Sequence, residues 1–173
     1  VLVVESVAWF MATLLLLRFY MQLFRLSFAQ PFGRFVLQMT GPLVVPLRRI
    51  VPALRGLDLA SLIPAYLLLT AAFAIKVMLL RSGIDLLAPS TLFRIFVSGL
   101  GNTLILNVYL LICVLFLQAF LSWIVPNSPL FPYLIEVTRP FLAPIRKVIP
   151  QISGIDLSPL VAILIAQIVL IFL

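Results

Sequence analysis

One string of 19 residues constrains this chain more than any other, because it is present twice. Thr40-Gly-Pro-Leu-Val-Val-Pro-Leu-Arg-Arg-Ile-Val-Pro-Ala-Leu-Arg-Gly-Leu-Asp58 returns 98 residues later as Thr138-Arg-Pro-Phe-Leu-Ala-Pro-Ile-Arg-Lys-Val-Ile-Pro-Gln-Ile-Ser-Gly-Ile-Asp156. Aligned without a gap, Thr40–Ile63 and Thr138–Val161 are identical at nine of 24 positions. Pro42, Pro46 and Pro52 keep the same rhythm as Pro140, Pro144 and Pro150, and Gly56-Leu-Asp58 matches Gly154-Ile-Asp156. Biased composition rarely keeps three prolines, a basic pair and a Gly-x-Asp in register, so the chain is read as two copies of one unit.

What flanks each copy decides the medium. The chain is 64% hydrophobic and 10% charged, where a soluble domain carries about 25% charged residues. That excess of apolar side chains has no place in water, which makes the expectation an all-α membrane protein. Spans are predicted over 1–24, 59–80, 102–124 and 157–173. The first is too long, and too poor in flanking basic and small residues, for a secretory signal peptide. The first repeat then covers 1–81, a connector 82–101, and the second repeat 102–173. Thr91–Val125 is too long for one ordinary span, so it is read as an interfacial lead-in over 91–98, a weak point at Gly99-Leu-Gly101, and a span beyond it. A single long tilted helix is the alternative.

Between the two spans of each repeat lies a Pro-rich segment, 31–55 and 129–153, predicted to be interfacial or re-entrant. Pro31 opens a short helix from Phe32 to about Met39, which Gly41-Pro42 is expected to end. A second helix between Pro42 and Pro52 puts Leu43, Leu47, Ile50 and Val51 on one face, with Arg48 and Arg49 opposite. In the second copy Phe141, Ile145, Val148 and Ile149 oppose Arg146 and Lys147. An apolar stripe with a basic face is the pattern of a helix lying in the membrane interface.

The charge is +7, and its distribution orients the chain. Arg25, Arg34, Arg48, Arg49, Arg55, Arg139, Arg146 and Lys147 fall on the side of the Pro-rich segments, against Lys76, Arg81 and Arg94 on the other. The positive-inside rule places the Pro-rich segments in the cytoplasm and both termini outside.

Catalysis is not the expectation. There is no histidine and one cysteine, Cys113, which removes His-dependent triads, the usual zinc sites and imidazole-ligated haem. No cofactor or metal is expected. Arg48, Arg49, Arg146 and Lys147 are the candidates for binding anionic lipid headgroups or an acidic partner; the bland reading is that they only orient the chain, at about 1 kcal/mol per basic residue near an anionic surface. Two basic pairs without interleaved aromatics do not suggest nucleic acid. Asp58 and Asp156 are read as helix caps that also pair with a repeat arginine, with a proton or cation site as the sharper alternative. Arg18 and Gln118 are polar residues within spans. Arg18, near the end of its span, can snorkel to that interface, as can Lys76 or Arg81 at the far end of the second span; the two repeats do not duplicate the charge of Arg18, which counts against a twofold conduction path.

The doubled T-x-P-φ-φ-x-P-φ-R-[RK]-φ-φ-P-x-φ-x-G-φ-D signature, with φ apolar, resembles the YggT (also YlmG) family of bacterial and plastid membrane proteins. The likeness covers nearly the whole chain. It implies an inner-membrane protein, in plastids a thylakoid or envelope one, with relatives linked to osmotic-stress tolerance, assembly of a b-type cytochrome complex, and division or nucleoid organisation. It implies no catalytic chemistry. The expectation is therefore a non-enzymatic scaffold or assembly factor, with an oligomeric channel or transport-related protein as the alternative. Membrane lipids, a membrane-protein partner or further copies of the chain are the expected associates.

Overall fold

The computed structural model describes residues 1–51, 58–80, 88–125, 128, 130–148 and 156–173. Pro52, Gly56, Pro150 and Gly154 of the repeat motif lie outside them, as do Arg55 and Arg81. Long runs of Leu, Ile, Val, Ala and Phe satisfy their backbone groups internally as helices. Among the described residues there are six: α1 (Leu2–Leu23), α2 (Pro31–Leu47), α3 (Leu59–Leu80), α4 (Pro89–Ile124), α5 (Phe131–Val148) and α6 (Ser158–Phe172). No strand occurs among the described residues.

Three helices are long and apolar enough to cross a membrane: α1, α3 and, over Pro89–Ser122, α4. The 22 residues of α1 and of α3 each extend about 33 Å, against a hydrocarbon core of about 30 Å. The apolar α6 has 15 residues and extends about 22 Å.

The chain forms two compact units, Val1–Leu106 and Asn107–Leu173. In the first, α1 and α3 run antiparallel. Glu5 near the start of α1 pairs with Lys76 near the end of α3 at 2.8 Å, and the other ends meet at the polar cluster described below. Their seam is built from Ala12, Leu15, Leu16, Ala60, Ala65 and Leu69, joined by Val44 from α2 and Leu106 from α4. The alanines bring the helix axes close, where dispersion contacts replace the absent hydrophobic drive of a lipid setting. The second unit centres on Leu115, Leu142 and Ala162. Val44 and Leu142 are equivalent repeat positions, and both are fully buried.

The path from α1 to α2 is a tight reversal. Arg25 takes a left-handed backbone with φ 53°. Its N–H reaches the Gln22 carbonyl and that of Leu26 the Met21 carbonyl, the two bonds of a Schellman motif.

Two expectations change. Gly41-Pro42 does not end a helix, because α2 runs unbroken through Pro42 and Pro46, as α5 does through Pro140 and Pro144. In each helix the two prolines are four apart on one exposed face, so the lost hydrogen bonds fall on a single side and the inward side stays intact. That inward side carries Val36, Thr40 and Val44 in α2, and Thr138 and Leu142 in α5. Of the apolar stripes, Leu47 and Ile145 pack against the two cores, and Leu43, Ile50, Phe141 and Val148 are exposed. Ile149 lies outside the described residues.

Second, α4 is a single helix through Gly99 and Gly101, so the lead-in and the span are one element, the single long helix of the alternative reading. Gly99 is where α4 meets α3: a Cβ there would stand 2.0 Å from Thr70 Oγ1 and 3.1 Å from its Cα. Glycine costs about 1 kcal/mol in a helix, and this approach, with a Tyr66 hydroxyl bond to the Phe96 carbonyl at 3.2 Å, offsets it. Gly99→Ala should destabilise the detergent-solubilised protein by about 1–3 kcal/mol, read as a lowered thermal midpoint. Adding Thr70→Gly should recover most of the loss.

Candidate functional site

Polar groups that apolar helices cannot leave unpaired collect where each Pro-rich helix meets its spans. In the first unit α1 supplies Arg18 and Gln22, one turn apart on the same face; α2 supplies Thr40 and ends at Arg48; the approach to α3 supplies Asp58 and Ser61. Arg18 donates from a guanidinium nitrogen to Thr40 Oγ1 at 2.8 Å, and Thr40 donates to the Val36 carbonyl at 2.6 Å. Arg48 pairs with Asp58 Oδ2 at 2.7 Å and also donates to Gln22 Oε1 at 2.5 Å. The Ser61 hydroxyl donates to the same Asp58 oxygen at 2.6 Å.

Asp58 is 1% exposed and Arg18 is 4% exposed. Asp58 Oδ1 and Arg18 Nε are buried with no hydrogen-bond partner among the described residues, and the charges of Arg48 and Asp58 both bear on Arg18. The buried face of α2 meets Arg18 and gives its guanidinium a hydroxyl partner inside the first unit. Lys76 likewise holds Glu5.

The second unit repeats the plan with one change. Thr138 bonds Gln118 Oε1 through its hydroxyl and also reaches the Leu134 carbonyl at 2.8 Å. The hydroxyl has one proton, so turning the Gln118 amide lets it donate to Thr138 as Arg18 donates to Thr40. Arg146 pairs with Asp156 Oδ2 at 2.7 Å, and Asp156 Oδ1 accepts the Ser158 N–H at 3.0 Å at the start of α6. Asp156 thus caps and pairs at once. At Asp58 the carboxylate takes side-chain donors, and its main-chain carbonyl accepts the Ser61 and Leu62 N–H groups.

The basic pairs are split by the fold. Arg48 and Arg146 turn to the aspartates. Arg49 and Lys147 are exposed and make no hydrogen bond or ion pair among the described residues. Gln22, Ser61 and Ser158 are members of the clusters that sequence reasoning passed over. The signals were local: Gln22 lies one turn after Arg18, and each serine follows its aspartate by two or three residues. Among the described residues no group of three or more His, Cys, Asp or Glu could hold a metal ion.

Two outcomes follow. Thr40→Val strands a buried guanidinium and should cost about 3–5 kcal/mol, whereas Thr138→Val strands only a neutral amide and should cost about 1–3 kcal/mol; unfolding in mixed micelles measures both. Burial alone would raise the Asp156 carboxyl, but hydrogen bonding from Ser158 and the Arg146 guanidinium outweigh it and hold it below the ordinary 3.8. A folded carboxyl below its unfolded value adds stability that is complete above the unfolded value and is lost as pH falls through the folded one. The stability gap between the native chain and Asp156→Asn should therefore be constant at neutral pH and close below about pH 4.

A family model described as CCB3/YggT matches residues 1–80 and 97–173. The chain is 36% identical over 156 residues to the uncharacterized protein YggT of Escherichia coli K12, covering 90% of this chain and 78% of that one. It is 36% identical over 147 residues to an uncharacterized protein of Vibrio alginolyticus (84% of this chain, 77% of the other), and 34% identical over 153 residues to one of Pseudomonas aeruginosa (87% and 76%). No solved structure matches the chain.

Proposed function

The chain belongs to the CCB3/YggT family, and on that premise we propose that it is a non-enzymatic scaffold or assembly factor of the bacterial inner membrane. In this reading α1, α3, α4 and α6 are four spans in two tandem repeats. α2 and α5 lie in the cytoplasmic interface, with both termini outside, and their exposed cations dock anionic lipid headgroups or an acidic partner protein. The fourth span is supported by the repeat: α6 follows Asp156 as α3 follows Asp58, and it carries no charged residue.

One observation carries the functional part. Each repeat keeps two adjacent cations, locks one onto a carboxylate and leaves its neighbour exposed, Arg49 in one copy and Lys147 in the other. The locked cation holds the helix end in place. The free one is then presented on a fixed mount, which lowers the entropy of binding a headgroup or carboxylate.

Arg49→Gln with Lys147→Gln leaves both ion pairs intact. It should lower binding of anionic lipid or co-purification of partners, with the thermal midpoint unchanged and ion flux in proteoliposomes at background. Flux above background that collapses in Asp58→Asn with Asp156→Asn would overturn the scaffold reading in favour of an oligomeric channel.

A further inference from the structure

We propose that the groove between the end of α3 and the start of α4 binds one anionic phospholipid, its acyl chain along the groove and its phosphate on Arg94 and Lys76. The groove has a volume of about 520 Å³, within the range of small-molecule sites. Phe73, Val77, Leu80 and Val97 form apolar walls, and Lys76 and Arg94 are the cations that line it. It starts beside the close contact of Gly99 with Thr70 and extends to Leu80, the last residue of α3. It is therefore at the opposite end of α3 from Asp58.

Charge selects the occupant. Glu5 lies 2.8 Å from Lys76 and neutralises one of the two cations. Arg94 is exposed and has no hydrogen bond or ion pair among the described residues. Among the described residues the group keeps one net positive charge beside an apolar channel. An anionic phospholipid offers the complement, a single phosphate charge joined to hydrocarbon, and a guanidinium meets phosphate oxygens in a two-pronged fashion. A zwitterionic lipid would fill the same walls but bring its own cation toward Arg94. Inorganic phosphate would meet the charge and leave the walls bare. The Lys76 ammonium has three donors, so it can retain Glu5 and still reach the phosphate.

Native mass spectrometry of the full chain in detergent, with added phosphatidylglycerol, tests the site. One phosphatidylglycerol should be retained, with phosphatidylcholine of the same chains clearly weaker. Arg94→Gln, a change at an exposed side chain, should weaken retention about fivefold, and Arg94→Lys should keep most of it. Arg49→Gln with Lys147→Gln should leave this lipid bound, which separates the groove from the headgroup docking proposed for the Pro-rich side. Retention unchanged in Arg94→Gln, equal binding of phosphatidylcholine, displacement by an equal concentration of oleate, or loss of this lipid in the Arg49/Lys147 variant would each overturn the assignment.

Discussion

The structure depends on a carboxylate that has almost no contact with solvent. Asp58 is 1% exposed, and removing a carboxylate from water costs several kcal/mol unless it is paired and hydrogen-bonded. Arg48 and Ser61 supply those partners, which ties the end of α2 to the beginning of α3. The same pair closes the same ten-residue interval between Arg146 and Asp156. A helix stiffened by prolines has a well-defined end, so the arginine at that end arrives where the aspartate needs it. Removing Arg48 is much costlier than never having had the pair, because Asp58 is left charged and buried. In the second repeat the Arg146 and Asp156 side chains are 42% and 24% exposed, and the same loss costs less.

The two copies differ where they carry the load. In the first, Arg18 adds a buried cation beside the Arg48–Asp58 pair, whose arginine is exposed; in the second, Gln118 takes the same place against Thr138 without charge. Asp156 is also less enclosed, with its side chain 24% exposed. The first repeat is therefore a charged lock and the second a mostly neutral one. A duplicated conduction path needs equivalent polar linings, and these are not equivalent. A structural scaffold needs only that each Thr be satisfied, and both are.

Much of this was legible in the sequence. The ion pairs of Asp58 and Asp156 with a repeat arginine were readable from the doubled motif, because identity at fixed spacing reports a shared local geometry. The 22-residue extents of α1 and α3 followed from unbroken apolar runs. What failed was anything resting on local propensity alone. Gly41-Pro42 reads as a helix stop, yet packing of Thr40 and Val44 against α1 and α3 holds the helix through it. Thr40 faces inward to meet the guanidinium of Arg18, a pairing between two helices that neither α1 nor α2 shows when read alone.

The prolines bear on the depth of α2 and α5. A proline cannot donate to the carbonyl four residues earlier, so Pro42 frees the Gln38 carbonyl and Pro46 that of Pro42, while Pro140 frees Glu136 and Pro144 frees Pro140. All six of these residues are exposed. Freed carbonyls on an exposed face need water or headgroup donors, because hydrocarbon offers none and each unmet group costs several kcal/mol. The stripe is polar at equivalent positions in both copies, with Gln38 in one and Glu136, paired to Arg139 at 2.8 Å, in the other. An exposed row of freed carbonyls, an ion pair and the exposed Arg49 and Lys147 is poorly suited to lipid tails and well suited to a wet surface. On these physical grounds an interfacial position for both helices is favoured over a deep re-entrant one.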